Sequence, residues 1–363
     1  MNFDSNMKRS KSECELRFDK LIGKRLINSG SYGKVYQVEI LIPGNLNTNN
    51  TFPFVDLTDG CRKLKCAMKK FPFITDKNDI KAFEREARIM ESCDHKNVVK
   101  IFHFEFHQKI HKKPFRFCFD RKKIYEGRMF MELCEDTNLF NYIELYNQNL
   151  SNIDRLNYLV QIAEGMIYLH EKKNIIHRDL KPSNILFEVD SNFKILKICD
   201  FGGAKKMNSI TDSLSGTAEY VAPEIVNLTI TKSNLNHKTL DIYSFGLIIW
   251  FMWVGISPYS DHPNYENIKC NAFIFLRFIH KKSLRPSIEK FRQKNPPIFI
   301  ESMMIKCWRE HPKDRYQSFK EILKVLKDCQ AFLKKSRISR LCRSKSVSKK
   351  INNFISGKIT LSL

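Results

Sequence analysis

The stretch Asn28-Ser-Gly30-Ser-Tyr-Gly33-Lys-Val35 is a small glycine loop between two expected strands. Further on, Cys66-Ala67-Met68-Lys69 reads as a short strand whose period of two puts Ala67 and Lys69 on one face. Glu86 follows 17 residues after Lys69, on a helix whose apolar face is Ile80, Phe83, Ala87 and Met90. A third stretch is His177-Arg178-Asp179-Leu180-Lys181-Pro182-Ser183-Asn184, with Asp200-Phe201-Gly202 starting 21 residues after Asp179, and Ala222-Pro223-Glu224 beyond it. Phosphoryl transfer needs a cradle for phosphates, a cation on them, acid or amide oxygens for Mg²⁺, and a group that takes a hydroxyl proton. These stretches supply each in turn. Taken singly, the glycine loop is a weak signal, and a Lys on a strand or a Glu on a helix is usually a surface charge.

Together and in this order, the motifs resemble the protein-kinase signature set. The resemblance covers roughly residues 20–332, so it implies a whole fold: α+β and bilobal, with a small, mainly β N-lobe and a larger, mainly α C-lobe. It implies that Asp179 accepts the substrate proton and that Lys181 neutralises the γ-phosphate of ATP. Lys69, paired with Glu86, would position the α- and β-phosphates, and Asn184 and Asp200 would hold Mg²⁺. The nucleotide-binding positions implied are Ile27, Asn28, Gly30, Gly33, Val35, Ala67, Lys69, Glu132, Cys134 and Leu186, with Met131 as gatekeeper and 132–134 as the hinge that meets adenine. Asn28 stands where the family usually has its first loop glycine; Asn accepts a positive φ better than other non-glycine residues, so the turn is expected to survive. Asp241 and Gly246 resemble the start of the family's long central helix, and Arg315 the late arginine that pairs with Glu224.

Asp-Leu-Lys-Pro and the threonine of Gly216-Thr217-Ala-Glu-Tyr220 resemble the serine/threonine pattern. Below that level, Asp241-Ile-Tyr-Ser-Phe-Gly, Ser257-Pro-Tyr and Cys307-Trp308 look like the tyrosine-kinase-like group, including Mos and the TGF-β-activated kinases, which act as MAP kinase kinase kinases. A MAP kinase kinase would then be the protein substrate. Met131-Glu-Leu-Cys134 and Gln161-Ile-Ala-Glu164 instead look like the stress kinases that phosphorylate a translation-initiation factor. A pseudokinase scaffold is a further alternative, though such proteins usually lack one of Lys69, Glu86, Asp179, Asn184 and Asp200, all present here. Ser209, Thr211, Ser213, Ser215 and Thr217 lie where a phosphate could pair with Arg178.

The elements that must position these residues are legible by period. Leu156, Leu159, Ala163, Met166 and Ile167 share one helical face; Ser318 and Glu321 suggest a capping box ahead of Phe319, Ile322, Leu323 and Leu326, on a helix expected to close the folded unit near Phe332. Pro43–Asp59 reads as a surface loop. The expected organisation is an extension over 1–19, a kinase domain over 20–332 (N-lobe to 131, C-lobe from 135) and a basic tail over 333–363.

The chain has 363 residues, 42% hydrophobic and 28% charged, enough to bury a full core. Its longest apolar run, Leu247–Ile256, is half the roughly 20 residues a spanning helix needs, so it reads as a buried core helix and no transmembrane segment is expected. The start lacks the apolar stretch of a secretory signal, and eleven cysteines without a C-x-x-C pair read as reduced thiols in the cytosol or nucleus. Of the net charge of +23, residues 334–363 carry +9 and His107–Arg128 carries +6. Such segments suit an acidic partner. Specific nucleic-acid binding is not expected, because Phe354 is the only aromatic residue in the tail.

Overall fold

The computed structural model describes residues 21–30, 33–43, 54–56, 61–71, 77–109, 124–134, 137–190, 193–206, 216–225, 236–269 and 271–338. The N-terminal extension, Ser209 to Ser215 and the chain beyond Ile338 lie outside them. The described residues fall into two compact units, one within Met1–Glu91 and Lys100–Cys134, the other within Ser92–Val99 and Glu135–Leu363.

Among the described residues, the first unit is a six-stranded antiparallel sheet with one helix. Its elements are β1 (Leu21–Gly30), β2 (Gly33–Pro43), β3 (Phe54–Asp56), β4 (Cys61–Lys70), α1 (Lys77–Glu91), β5 (Ile101–Lys109) and β6 (Ile124–Met131). The strand order is β1-β2-β4-β6-β5, with β3 paired to β4. Alternation decides the faces: Val38, Ile40, Leu64, Cys66, Met68 and Phe130 form one buried cluster. On the other face Phe83 of α1 packs edge-on against Phe71 and Phe106, with ring centroids 4.4 and 4.6 Å away.

Two expectations change here. The Pro43–Asp59 segment holds a strand, β3, whose Phe54 pairs with Leu64. The basic stretch 107–128 belongs to the sheet at both of its ends: His107–Lys109 pair with Ile124–Glu126 in the β5–β6 ladder. Within that ladder Glu126 is buried and bound by Lys70 at 2.8 Å and Arg128 at 2.9 Å. Burial pushes its carboxyl up, but the hydrogen bonds and charges of the two cations outweigh it and hold the pKa at about 2. Part of the local positive charge is therefore structural counter-charge.

The second unit is mainly helical. It contains α2 (Leu139–Tyr146), α3 (Asn152–Ile167), a π-helical turn at Tyr168–Lys172, β7 (Ile175–Ile176), β8 (Ile185–Asp190), β9 (Phe193–Ile198) and β10 (Lys205–Lys206). After these come α4 (Lys238–Val254), α5 (Tyr265–Ile268), α6 (Ala272–Lys281), α7 (Ile288–Arg292), α8 (Ile298–Cys307) and α9 (Phe319–Ile338). Strand β7 pairs with β10, and β8 with β9.

Every residue of α4 from Thr239 to Val254 is buried, which is why its sequence is apolar all round. Among the described residues no helix is long and apolar enough to cross a membrane. The C-terminal carbonyls of α4 are met by a buried cation: Arg155 Nε donates to the Met252 carbonyl at 2.8 Å, and its other nitrogens donate to the carbonyls of Leu150 and Asn147. A full capping box stands at the start of α3, where Ser151 and Asp154 satisfy each other's main-chain N–H groups. At α9 only half of the expected box forms: the Glu321 N–H donates to Ser318 Oγ, while that hydroxyl turns to the Glu321 carboxylate. Helix α9 does not stop near Phe332 but runs to Ile338. No Gly or Pro interrupts Ala331–Ile338, so nothing in the chain ends the helix there.

Candidate active site

In the first unit, the β1–β2 turn brings Gly30 opposite Gly33, with Ser31 and Tyr32 outside the described residues. Gly33 has φ 128°, and a side chain there would run into the Lys70 carbonyl oxygen of the neighbouring strand, so this position accepts no Cβ. Asn28 needs no left-handed backbone. It lies in β1 opposite Val35, and its Oδ1 accepts the Ser29 N–H at 2.8 Å. The expected strain at Asn28 is thus replaced by a local side-chain bond. Ile27 sits at a register shift of β1 and is exposed.

Across β2, β4 and β6 the register is Val35 to Lys69, and Ala67 to Met131. Ala67, Lys69 and Met131 are buried, and the Lys69 Nζ lies 4.9 Å from the Phe71 ring centroid. Glu86 is on α1, but its side chain, and with it the expected pairing to Lys69, lies outside the described residues. At the end of β6 the Glu132 N–H donates to the Lys100 carbonyl at 2.9 Å, and the Glu132 carboxylate accepts the Lys100 N–H at 2.6 Å. An adenine edge at this point would have to take the Glu132 carbonyl rather than its N–H. Cys134 is half-buried beside it.

In the second unit the chemistry converges on Asp179. Its Oδ1 accepts from the Thr217 N–H at 2.8 Å and the Thr217 hydroxyl at 3.0 Å. Its Oδ2 accepts from Asn184 Nδ2 at 3.0 Å and from Lys181 Nζ at 2.9 Å. Lys181 also donates to the Thr217 hydroxyl oxygen. Four donors therefore fix the carboxylate.

The peptide around Asp179 is held from below by α4. Asp241 is fully buried and accepts the His177 N–H at 2.9 Å, the Arg178 N–H at 2.8 Å and His170 Nε2 at 2.7 Å. Burial alone would push the Asp241 carboxyl up; the bond and charge from His170, with the His177 N–H, outweigh this and hold it low. This clamp allows Arg178 a φ of 68°. Next to it, His177 Nδ1 accepts the Asp179 N–H at 3.3 Å, while Nε2 donates to the Cys199 carbonyl at 3.1 Å. His177 thereby ties Asp179 to the residue before Asp200, which has φ 65°. Phe201 packs on the His177 ring at 5.2 Å.

Asn184 spends its amide hydrogens on Asp179, on the carbonyl at 2.9 Å and on Oδ2. Its carbonyl accepts the Cys199 N–H. No described residue donates to its Oδ1, a hard neutral oxygen of the kind Mg²⁺ takes beside a carboxylate and phosphate oxygens. The donor set fits that metal. Among the described residues no group of three or more His, Cys, Asp and Glu forms a closed metal cage. Leu186, half-buried on β8, alternates with the buried Ile185 and Phe187.

The site residue that motif reading passed over is Thr217. The signal was present in Gly216-Thr217: Gly216 has φ 110°, and a Cβ there would lie 2.7 Å from the Arg178 carbonyl. Only glycine lets the chain pass close enough for Thr217 to reach Asp179. Thr217, counted among the candidates for phosphorylation, is instead engaged with Asp179 and Lys181. The late ion pair is as expected, with Arg315 bound to both Glu224 oxygens at 2.7 and 2.8 Å.

These motifs, the α+β architecture and the Asp179 cluster define a protein kinase. The chain belongs to the protein kinase domain family, whose model matches residues 57–327. It is 30% identical over 258 residues to calcium-dependent protein kinase 5 of Plasmodium berghei, covering 69% of this chain and 40% of that one. It is 31% identical over 246 residues to the serine/threonine-protein kinase atg1 of Dictyostelium discoideum (67% and 31%), and 29% over 257 residues to the bovine mitogen-activated protein kinase kinase kinase 7 (70% and 38%). The chain spans well under half the length of these curated relatives.

Proposed function

We propose that this protein is an active serine/threonine protein kinase that moves the γ-phosphoryl group of ATP onto a hydroxyl of a protein substrate. The observation that carries the reading is the fourfold-bonded Asp179 carboxylate with Lys181 and Thr217 around it. In this reading the substrate hydroxyl oxygen attacks the γ-phosphorus, its proton passes to Asp179, and the bond to the bridging oxygen breaks to release ADP. Lys181 offsets charge on the transferred group. Lys69 would meet the α- and β-phosphates, with Glu86 orienting it. Asn184 Oδ1 and the Asp200 carboxylate would hold Mg²⁺, which supplies charge neutralisation and alignment of the phosphates. Ile27, Val35, Ala67 and Leu186 would enclose the adenine, and Glu132 and Cys134 would meet its edge. All residues of the chemical set are present, which favours catalysis over a scaffold role.

The likeness to a mitogen-activated protein kinase kinase kinase, together with the tyrosine-kinase-like motifs, supports a MAP kinase kinase as substrate. Cys66, Cys93, Cys134, Cys199, Cys307 and Cys329 are free thiols, in keeping with a reducing compartment. The test is transfer of labelled γ-phosphate by the purified chain to a MAP kinase kinase and, in parallel, to a translation-initiation factor. Phosphorylation of the first on serine or threonine is expected. Transfer to the initiation factor alone would overturn the substrate assignment, and no transfer to any protein would overturn the kinase reading.

A further inference from the structure

Phe71 follows Lys69 by two positions, so both side chains leave the chain on the same face of the sheet. Lys69 is buried, and its Nζ lies over the Phe71 ring, 4.9 Å from the centroid. An ammonium in this place is drawn to the negative face of the ring, and the attraction is stronger where water is excluded. The ring acts from one side only. It leaves N–H donors on the other side of the ammonium for oxygen ligands such as phosphates.

The ring is itself held on two sides. The Phe71 N–H donates to the Gly127 carbonyl at 3.0 Å, which extends the β4–β6 ladder one residue past the end of β4. Lys70, between Lys69 and Phe71, faces the other way and is bound by the buried Glu126 at 2.8 Å. The Phe71 ring meets Phe83 of α1 edge-on at 4.4 Å, and Phe83 is buried against Phe104 and Phe106, with centroids 6.3 and 4.6 Å away. Gly127 makes the room for this: a Cβ there would lie 3.0 Å from the Phe83 ring. The result is a continuous contact from α1 through Phe83 and Phe71 to the Lys69 ammonium.

We infer that Phe71 is a positioning residue for Lys69: its ring face holds the ammonium in place for the nucleotide, and its edge ties that ammonium to α1. The assignment rests on the kinase reading above, in which Lys69 meets the α- and β-phosphates. A lysine side chain is long and flexible, and ordering it afresh at each binding event costs entropy. A fixed ring beneath the ammonium lowers that cost before ATP arrives. Through the rings, α1 bears on Lys69 by a route separate from Glu86.

The test separates the ring's charge distribution from its bulk. Phe71→Leu stays apolar but has no ring face, and should lower kcat/KM for ATP by on the order of three- to tenfold; Phe71→Tyr keeps the face and should stay near wild type. A loosened α1 could cause the same loss in the leucine variant. Phenylalanine analogues with one, two and three ring fluorines at position 71 therefore keep the shape and the contact with Phe83 while weakening the negative face, and kcat/KM should fall stepwise along the series. A readout independent of catalysis is the unfolding stability of Lys69→Met, Phe71→Leu and the double variant, whose effects should be less than additive because the second change finds the contact already gone. A flat fluorine series, or additive stabilities, would overturn this assignment alone. Coupled stabilities in a chain that transfers no phosphate to any protein would overturn the kinase reading, and with it the purpose given to the contact.

Discussion

The main-chain N–H and the hydroxyl of Thr217 both donate to one oxygen of Asp179, while the same hydroxyl accepts from Lys181. One side chain thus couples the aspartate, the lysine and the start of the segment that contains Glu224. Thr217→Val keeps the shape and the N–H but removes the hydroxyl. A hydrogen bond to a charged group contributes about 1.5–3 kcal/mol, so kcat should fall by on the order of ten- to a hundredfold, with the KM for ATP little changed. Thr217→Ser should retain most activity. Steady-state kinetics of the pair decides the matter, and equal activity in the valine and serine variants would count against the role.

Asp179 and Asp200 should separate cleanly. Asp200→Asn removes a metal ligand and should weaken Mg²⁺-dependent ATP binding together with catalysis. Asp179→Asn should abolish transfer while leaving Mg-ATP binding near normal. Ligand that binds only the folded state raises stability by ~2.7 kcal/mol at a hundred times its dissociation constant, which a melting experiment reads directly. Equal Mg-ATP shifts in the two variants would show the roles to be wrongly assigned.

Autophosphorylation should fall on Ser209, Thr211, Ser213 or Ser215 and not on Thr217. The Thr217 hydroxyl is held between Asp179 and Lys181, whereas a phosphate on the earlier residues could pair with Arg178. Mass spectrometry of the active protein should find the 209–215 residues modified. Stoichiometric phosphate on Thr217 in fully active enzyme would contradict the bonding described above.

Stability should fall on mild acidification through His280. This residue of α6 is buried, and burial first, then the charges of Arg285 and Arg315, push its pKa down to about 4. An unfolded histidine titrates near 6.5, so the folded state favours the neutral ring. The associated stability is present above about pH 6.5 and is lost as pH falls through about 4, on the order of 2–3 kcal/mol over that window. His280→Gln should show a shallower fall in Tm between pH 7 and 4.5 than wild type. Parallel curves would argue that other groups dominate.

The chemistry was legible in the sequence because each catalytic residue sits in a contiguous motif, and the helices were legible where their apolar faces repeat. What escaped was set by contacts between distant segments. In the sequence Glu126 is one acid in a basic stretch, and only the pairing of β6 with β4 brings it against Lys70. Ser151 and Asp154 have the capping spacing but precede a stretch whose helical face was read only from Leu156 onward. Asn28 seemed to need a positive φ because it was judged by its motif position, whereas the β1–β2 register puts it in a regular strand. Thr217 was read for its bearing on acceptor type, and only the close pass of Gly216 by Arg178 reveals that it touches Asp179.

The Asp241 clamp has a dynamic consequence. The amide hydrogens of His177 and Arg178 belong to a segment outside any helix or long strand, where exchange with solvent deuterium is ordinarily fast. Both are donated to a carboxylate with no exposure to water, anchored on a helix buried along its length. Releasing either proton to solvent requires α4 itself to separate from the turn, which amounts to unfolding most of the unit. These two loop amides should therefore exchange at the rate of the core, and their protection would record the global stability of the unit as faithfully as any amide within α4.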